Sequence, residues 1–352
     1  MDKHAGPGRS RVFGSGTVAG LIAVALVVTG CASGTTGGTD SSETKVVATT
    51  TMLGSVTGEI VACAGGQVET ILPVGADPHE FSPSSRDVSE MTKADLVVAN
   101  GLGLEEGMAG ALESVRTDGG QVLEVAPLVN PIPFGDEAEH ENPEDEADHD
   151  QQGEDQVDSV TAPASEGATD SHEHSGDDPH FWMDVGRMAD GARIIGQKLA
   201  ELTGDRKYEQ CGQQVEQQLN TLNKQLKEQL DTVPKNKRVM VTDHDALGYF
   251  AQAYDYEILE TVIPGGSTLG DPSSAELAAL AKTMNDAGAT TVFANTAGSN
   301  ALVDALAKEV PGAQVVELYI GSIGEPGTEA GSYDGMMTVD VDRITSALTP
   351  GA

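Results

Sequence analysis

The sequence predicts an α/β protein: two (βα)4-type lobes with parallel sheets, joined by a long linker helix. Three observations carry that expectation. Short runs rich in Val and Ile alternate with segments of helical pattern on both sides of the chain's middle. Between the two series, Val215, Leu219, Leu222, Leu226 and Leu230 recur by threes and fours, giving an otherwise polar stretch one apolar face. Past residue 44 some 300 residues remain, more than a typical single core accommodates.

In the first series, Lys45–Thr50 reads as a strand and Ser55–Ala62 as a helix. Gln67–Pro73 is a second strand, followed by a helix from Ser84 to Lys93. Asp95–Asn100 and Gln121–Ala126 are further strands around a helix at Gly107–Val115. After Phe181-Trp182-Met183-Asp184 a helical pattern runs to Leu202, and Gly204-Asp205 separates it from the long helix 207–230. That helix spans about 35 Å at 1.5 Å per residue, long enough to run along both lobes as a spine. Val233-Pro234 stops it. The second series has strands Arg238–Thr242, Tyr256–Ile263, Thr290–Asn295 and Ala313–Tyr319. Its helices are Ala246–Ala253, Ser273–Ala287, Ser299–Lys308 and Tyr333–Leu348.

The ends and the charge set the compartment. Lys3, His4, Arg9 and Arg11 precede an uncharged apolar run from Val18 to Val28, the layout of a secretory signal. The run ends in Val28-Thr29-Gly30-Cys31, which resembles a bacterial lipobox with lipid attached at Cys31. The expected organisation is a signal peptide at 1–30, a flexible tether at 31–44, an N-terminal lobe at 45–206, a linker helix at 207–232 and a C-terminal lobe at 233–352. The other two cysteines, Cys63 and Cys211, form an even pair in an oxidising compartment; they are either bridged or two separate buried thiols. A formal net charge of −36 excludes nucleic acid as a partner and favours cations. From Gly135 to Asp178 there are seventeen Asp or Glu and no Lys or Arg, the composition of a surface loop that cannot bury a core.

Three histidines follow or neighbour predicted strands: His79 in Gly75-Ala76-Asp77-Pro78-His79, His180 in Asp178-Pro179-His180-Phe181-Trp182, and His244 in Thr242-Asp243-His244-Asp245. In open parallel sheets ligands bind outside the carboxyl ends of strands, where His79 and His244 fall. Neutral imidazole is the commonest protein ligand for zinc, so the three are candidate ligands of one divalent ion. Asp77, Asp178 and Asp243 beside them either accept from the rings or cap turns, and Asp-Pro as a turn opener favours capping. His140, His149, His172 and His174 lie in the acidic loop, where His172-Glu173-His174 is a local chelate suited to collecting metal. The Pro264-Gly265-Gly266-Ser267-Thr268 stretch lacks a following Gly-Lys-Ser/Thr, so it reads as a cleft-lining turn and not a phosphate loop. Trp182 is expected to pack beside His180, and Tyr249 and Phe250 to lie in the core.

Four motifs in order carry a family resemblance. They are Leu72-Pro73-Val74-Gly75-Ala76-Asp77-Pro78-His79-Glu80-Phe81-Ser82-Pro83, Ala94-Asp95-Leu96-Val97-Val98-Ala99-Asn100-Gly101, Asp178-Pro179-His180-Phe181-Trp182-Met183-Asp184, and Asp243-His244-Asp245-Ala246-Leu247-Gly248-Tyr249-Phe250. From Lys45 to Leu348 the chain resembles the zinc- and manganese-binding solute-binding lipoproteins of bacterial ABC importers. The resemblance implies a rigid linker helix, a metal site in the interlobe cleft, and delivery to a membrane permease powered by a cytoplasmic ATPase. It also implies an extracytoplasmic monomer anchored by lipid to the outer face of the cell membrane.

Manganese-type relatives commonly place Glu where this chain has His244, and three imidazoles suit zinc better than harder ions. Zinc is therefore the expected cargo, with a manganese- or iron-binding importer component as the alternative. In one respect the chain departs from the family: where many members carry an Asp after the last strand, it reads Tyr319-Ile320-Gly321-Ser322. Gly321 offers no ligand, which leaves the fourth position to water or to Glu80, Asn295 or Asp243. A surface adhesion role is a further reading of such lipoproteins. Zinc hydrolysis is disfavoured because no His-Glu-x-x-His helix is present, so no enzymatic activity is expected.

Overall fold

Val46, Val47 and Ala48 are buried in strand β1 (Lys45–Ala48), flanked on both sides by parallel partners in the computed structural model. The structure describes residues 43–134, 176–270, 272–297 and 299–349. The signal segment, the tether through residue 42 with Cys31, and the loop histidines His140, His149, His172 and His174 lie outside the described residues. No described helix is long and apolar enough to cross a membrane.

After β1 come α1 (Thr51–Ala64), β2 (Gln67–Thr70), α2 (Ser85–Lys93), β3 (Leu96–Ala99), α3 (Ala109–Thr117) and β4 (Val122–Glu124). Two helices form the middle, α4 (Val185–Thr203) and α5 (Lys207–Leu230). The second series is β5 (Val239–Thr242), α6 (Gly248–Tyr254), β6 (Glu257–Thr261), α7 (Ser274–Ala287), β7 (Thr291–Asn295), α8 (Ala301–Glu309), β8 (Gln314–Leu318) and α9 (Tyr333–Leu348). The sheets have the orders β2-β1-β3-β4 and β6-β5-β7-β8, parallel throughout. Each therefore opens a crevice at the carboxyl ends of its two central strands.

The expected α5 is observed over its full span, with Val215, Leu219, Leu226 and Leu230 buried. It crosses α4 closely: a Cβ at Gly196 would meet the Gly212 backbone at 2.8 Å, and one at Gly212 would meet the Gly196 backbone at 2.9 Å. Only glycine permits that approach. Gly204, in the left-handed region at φ 73°, stops α4 as its position in the sequence suggested.

Two expectations need correction. The strands are shorter than their apolar runs: Ile71 and Leu72 are core residues, yet the chain is already turning there, with Leu72 N–H donating to the Thr49 carbonyl at 3.1 Å. Helix α1 begins at Thr51 and not Ser55, because the Thr50 side chain accepts from Leu53 N–H and caps it. The β-branched run Thr49-Thr50-Thr51 masks that cap in the sequence. The structure also joins Cys63 of α1 to Cys211 of α5 by a disulfide with a Cα separation of 5.9 Å, the bridged alternative of the two.

Candidate metal centre

Each histidine is set by a short turn leaving a strand or a loop stem. After β2 the chain turns through Gly75, whose φ of 79° needs glycine, and Asp77 accepts from the His79 N–H at 2.9 Å. His180 follows a small antiparallel stem in which Pro133 bridges Asp177 and Asp178 N–H donates to the Ile132 carbonyl at 2.7 Å. The stem brings together the described ends of the acidic tract immediately before His180. His244 follows β5 directly.

The three rings are buried, with exposures of 5%, 0% and 1% for His79, His180 and His244. Their centroids stand 5.3 to 5.6 Å apart, and one ligand atom from each lies within 4.8 Å of the others. His79 Nε2 and His180 Nε2 are 3.1 Å apart. Tetrahedral zinc with Zn–N bonds of about 2.0–2.1 Å separates its nitrogens by roughly 3.3 Å, so the pair already has the spacing of two ligands on one ion.

Carboxylates set the ring tautomers. Asp178 Oδ1 accepts from both the N–H and Nδ1 of His180, each at 2.8 Å. Asp243 Oδ1 does the same for His244 at 3.0 Å. A proton on each Nδ1 leaves each Nε2 lone pair for the ion. Capping is therefore only half the role of Asp178 and Asp243. Burial pushes the His180 ring well below the usual imidazole range, and the nearby His244 adds to that. Burial also pushes Asp178 up to about 7, against the opposing His180 N–H. For the other pair burial is overcome: the Asp243 carboxylate raises His244, and His244 lowers Asp243.

Two of the candidates for a fourth ligand fall away. Glu80 is exposed. Asp243 is engaged on both oxygens, its Oδ2 accepting from the Asn295 N–H at 3.1 Å. Trp182 stands 5.2 Å from His180 and donates its indole N–H to the Ile320 carbonyl at 2.9 Å, fixing the ring. Tyr249 and Phe250 are buried as expected, and Tyr249 Oη also donates to the Asp178 carbonyl at 2.7 Å. The Gly265–Gly266 turn lies at the cleft, where Gly265 accepts from the Asp245 N–H and a Cβ at Gly266 would strike the Phe134 ring.

The sequence reading missed a seam between the lobes. Ser322 Oγ accepts the Gly75 N–H at 2.9 Å, and Thr51 Oγ1 accepts the Ile323 N–H at 3.1 Å. Isolated hydroxyls carry no periodic signal that would have found it.

Residues 46–347 match the family described as zinc-uptake complex component A, periplasmic (ZnuA). The chain belongs to the ZnuA family. Members are the extracytoplasmic metal-binding components of ABC importers, working with permease and ATPase subunits, and not enzymes. The chain is 28% identical over 307 residues to the zinc-binding protein TroA of Treponema pallidum, covering 85% of this chain and 87% of that protein. It is 25% identical over 332 residues to the manganese-binding lipoprotein MntA of Halalkalibacterium halodurans, covering 94% and 97%. Among solved structures, that of the periplasmic zinc-binding protein TroA from Treponema pallidum superposes with a TM-score of 0.71 at 25% identity, covering 87% of this chain and 99% of that one. The two-lobed parallel architecture of the ZnuA family is thus that of the present chain.

Proposed function

We propose that this ZnuA-family protein captures zinc through His79, His180 and His244 and passes it to a permease without chemistry on the ion. The carrying observation is the convergence of three buried imidazoles, two of them oriented by carboxylates so that nitrogen lone pairs face one point. An all-nitrogen set suits zinc better than manganese or iron. The manganese reading has support in the MntA relative, and a competition titration separates the two.

Metal-stripped protein titrated with zinc and manganese should bind one zinc per chain, at least a hundredfold tighter than manganese. The triple variant His79→Ala, His180→Ala, His244→Ala should lose the tight site; retention of one tightly bound zinc by that variant counts against the assignment.

We further propose that Cys31 carries the lipid that anchors a monomer outside the cytoplasm. In this reading residues 45–206 and 233–352 are the lobes and 207–232 the linker. His140, His149, His172 and His174 of the acidic tract collect metal for the cleft. Deleting residues 136–175 should leave equilibrium zinc affinity unchanged and slow zinc uptake from dilute solution.

A further inference from the structure

The stem that precedes His180 is an antiparallel pair in which one rung is not made by the backbone. Pro133 stands opposite Asp177, and the residues on either side bond backbone to backbone: Phe134 N–H donates to the Gly176 carbonyl at 3.4 Å, and Asp178 N–H to the Ile132 carbonyl at 2.7 Å. In a regular antiparallel ladder two residues so paired exchange both N–H groups, so the Ile132 N–H would return to the Asp178 carbonyl. The Tyr249 hydroxyl takes that place instead. It accepts the Ile132 N–H at 3.2 Å and donates to the Asp178 carbonyl at 2.7 Å. A hydroxyl can do both at once, having one proton and two lone pairs.

Tyr249 reaches the stem from another part of the fold. It lies on α6, just past His244 in the chain, and is fully buried with the Arg187 guanidinium 4.8 Å above its ring. Burial pushes the hydroxyl up to about 12, so it keeps the proton it donates. Helix α6 meets Asp178 a second time at its first residue, where a Cβ on Gly248 would stand 3.0 Å from Asp178 Oδ2. The other oxygen, Oδ1, holds the N–H and Nδ1 of His180. Asp178 is thus held from the His244 side at its carbonyl and at one carboxylate oxygen, and its second oxygen orients His180.

We infer that Tyr249 is a positioning residue for His180: its hydroxyl completes the stem, fixes Asp178, and through Asp178 ties the orientation of the His180 ring to the helix that follows His244. The two histidine-bearing segments then gain and lose their geometry together. Withdrawal of α6 takes the hydroxyl out of the ladder, frees the Asp178 backbone and lets the His180 ring turn. The consequence for metal rests on the three-histidine reading; the effect on His180 does not.

The test is Tyr249→Phe in the full chain, which keeps the ring beneath Arg187 and removes only the hydroxyl. In metal-free protein with isotopically labelled histidine, followed by NMR at fixed pH, the proton on His180 Nδ1 should exchange with water about fivefold faster than in the wild type, the scale of one lost hydrogen bond. The proton on His244 Nδ1 should keep its rate. Looser packing alone would do the reverse, because Tyr249 and Gly248 lie next to His244 in the chain. Loaded with zinc, the Phe variant should release the ion to excess chelator about fivefold faster as well. Gly248→Ala leaves the hydroxyl in place and presses on Asp178 Oδ2; it too should act at His180 and spare His244, which keeps the inference refutable if the Phe variant does not fold. An unchanged His180, or a change at His244 as large as that at His180, overturns the inference. A changed His180 with unchanged zinc release overturns its link to the metal, whereas tight zinc retained by the triple His→Ala variant overturns the three-histidine reading instead.

Discussion

The two lobes share one strand order, but they are fastened to the spine by different chemistry. On the N-terminal side, Cys63 is bonded to Cys211 of α5, Lys207 Nζ donates to the Ala64 carbonyl at 3.0 Å, and Tyr208 Oη donates to the Gly65 carbonyl. On the C-terminal side the fastening is non-covalent: Gln229 Nε2 donates to Asp342 Oδ1 at 2.6 Å, and Tyr256 Oη to the Leu230 carbonyl at 3.2 Å. In the proposed division, residues 45–206 carry His79 and His180, whose Nε2 atoms are 3.1 Å apart, and residues 233–352 contribute His244. On this division, two of the three histidines sit on the body that the disulfide ties to α5. The third histidine sits on a lobe whose ties to α5 quoted above are hydrogen bonds.

The largest expected effect comes from removing the staple. The bridged residues are 148 positions apart, and closing so long a loop removes much of the unfolded chain's freedom. The double variant Cys63→Ser, Cys211→Ser should lose about 4 kcal/mol of stability in denaturant unfolding. Its zinc affinity should change less than threefold, because neither sulfur touches the trio. A large affinity loss with little loss of stability would reverse the picture.

Buried carboxylates sharpen the same contrast. Glu105 in the N-terminal lobe accepts from Thr49 Oγ1 at 2.6 Å, Asn100 N–H at 2.7 Å and Gly101 N–H at 3.1 Å. Asp340 on α9 has the Tyr319 N–H at 2.9 Å on one oxygen, and its Oδ2 has no partner among the described residues. Burial pushes Asp340 up to about 7, with Tyr319 N–H and Arg343 opposing. A carboxyl raised in the folded state binds its proton more tightly there than in the unfolded chain. Its ionisation therefore costs nothing below about pH 4, costs progressively more up to about pH 7, and is constant above. Wild-type stability should fall across that window by on the order of 2–4 kcal/mol from this group. Asp340→Asn keeps the acceptor for Tyr319 and should flatten that slope in urea melts at pH 4.5 and 7.5; an unaltered slope would show that Asp340 is ionised throughout.

Much of this was legible in the sequence, for identifiable reasons. The period of Val215, Leu219, Leu226 and Leu230 was unambiguous because one face of a long helix is buried. The histidines were visible because each follows or neighbours a short apolar run and has an Asp beside it. Whether those Asp residues touch the rings was not, since an Asx turn and a carboxylate–imidazole contact use the same Asp, and in Asp178 one oxygen serves both. The engagement of both Asp243 oxygens depends on the pairing of β5 with β7, which no local pattern encodes.

Within the site, the two ring-holding carboxylates differ as the lobes do. Asp178 has its ring contact inside the stapled lobe, whereas Asp243 also ties the end of β7 through Asn295. Replacing either by Ala should weaken zinc binding by about 10–100-fold, the usual range for a partner that orients a metal-bound histidine. Asp243→Ala should sit at the upper end, because it releases Asn295 as well as His244. Competition against a chelator of known affinity measures both, and a larger loss for Asp178→Ala would place the critical orientation on the other lobe.

The smallest effect tests whether the C-terminal attachment is the exchangeable one. Gln229→Ala removes a hydrogen bond to a carboxylate and a longer one to Thr345 at 3.3 Å, at a half-buried position on the spine. Stability should fall by about 1 kcal/mol or less. If opening swings the lobe that bears His244, that fraction of a kcal/mol enters the closed state directly, and zinc release to excess chelator should speed up severalfold. Lys207→Ala, which loosens a contact already guarded by the disulfide, should leave release unchanged. Faster release from the Lys207 variant than from the Gln229 variant would mean that the stapled lobe is the one that moves.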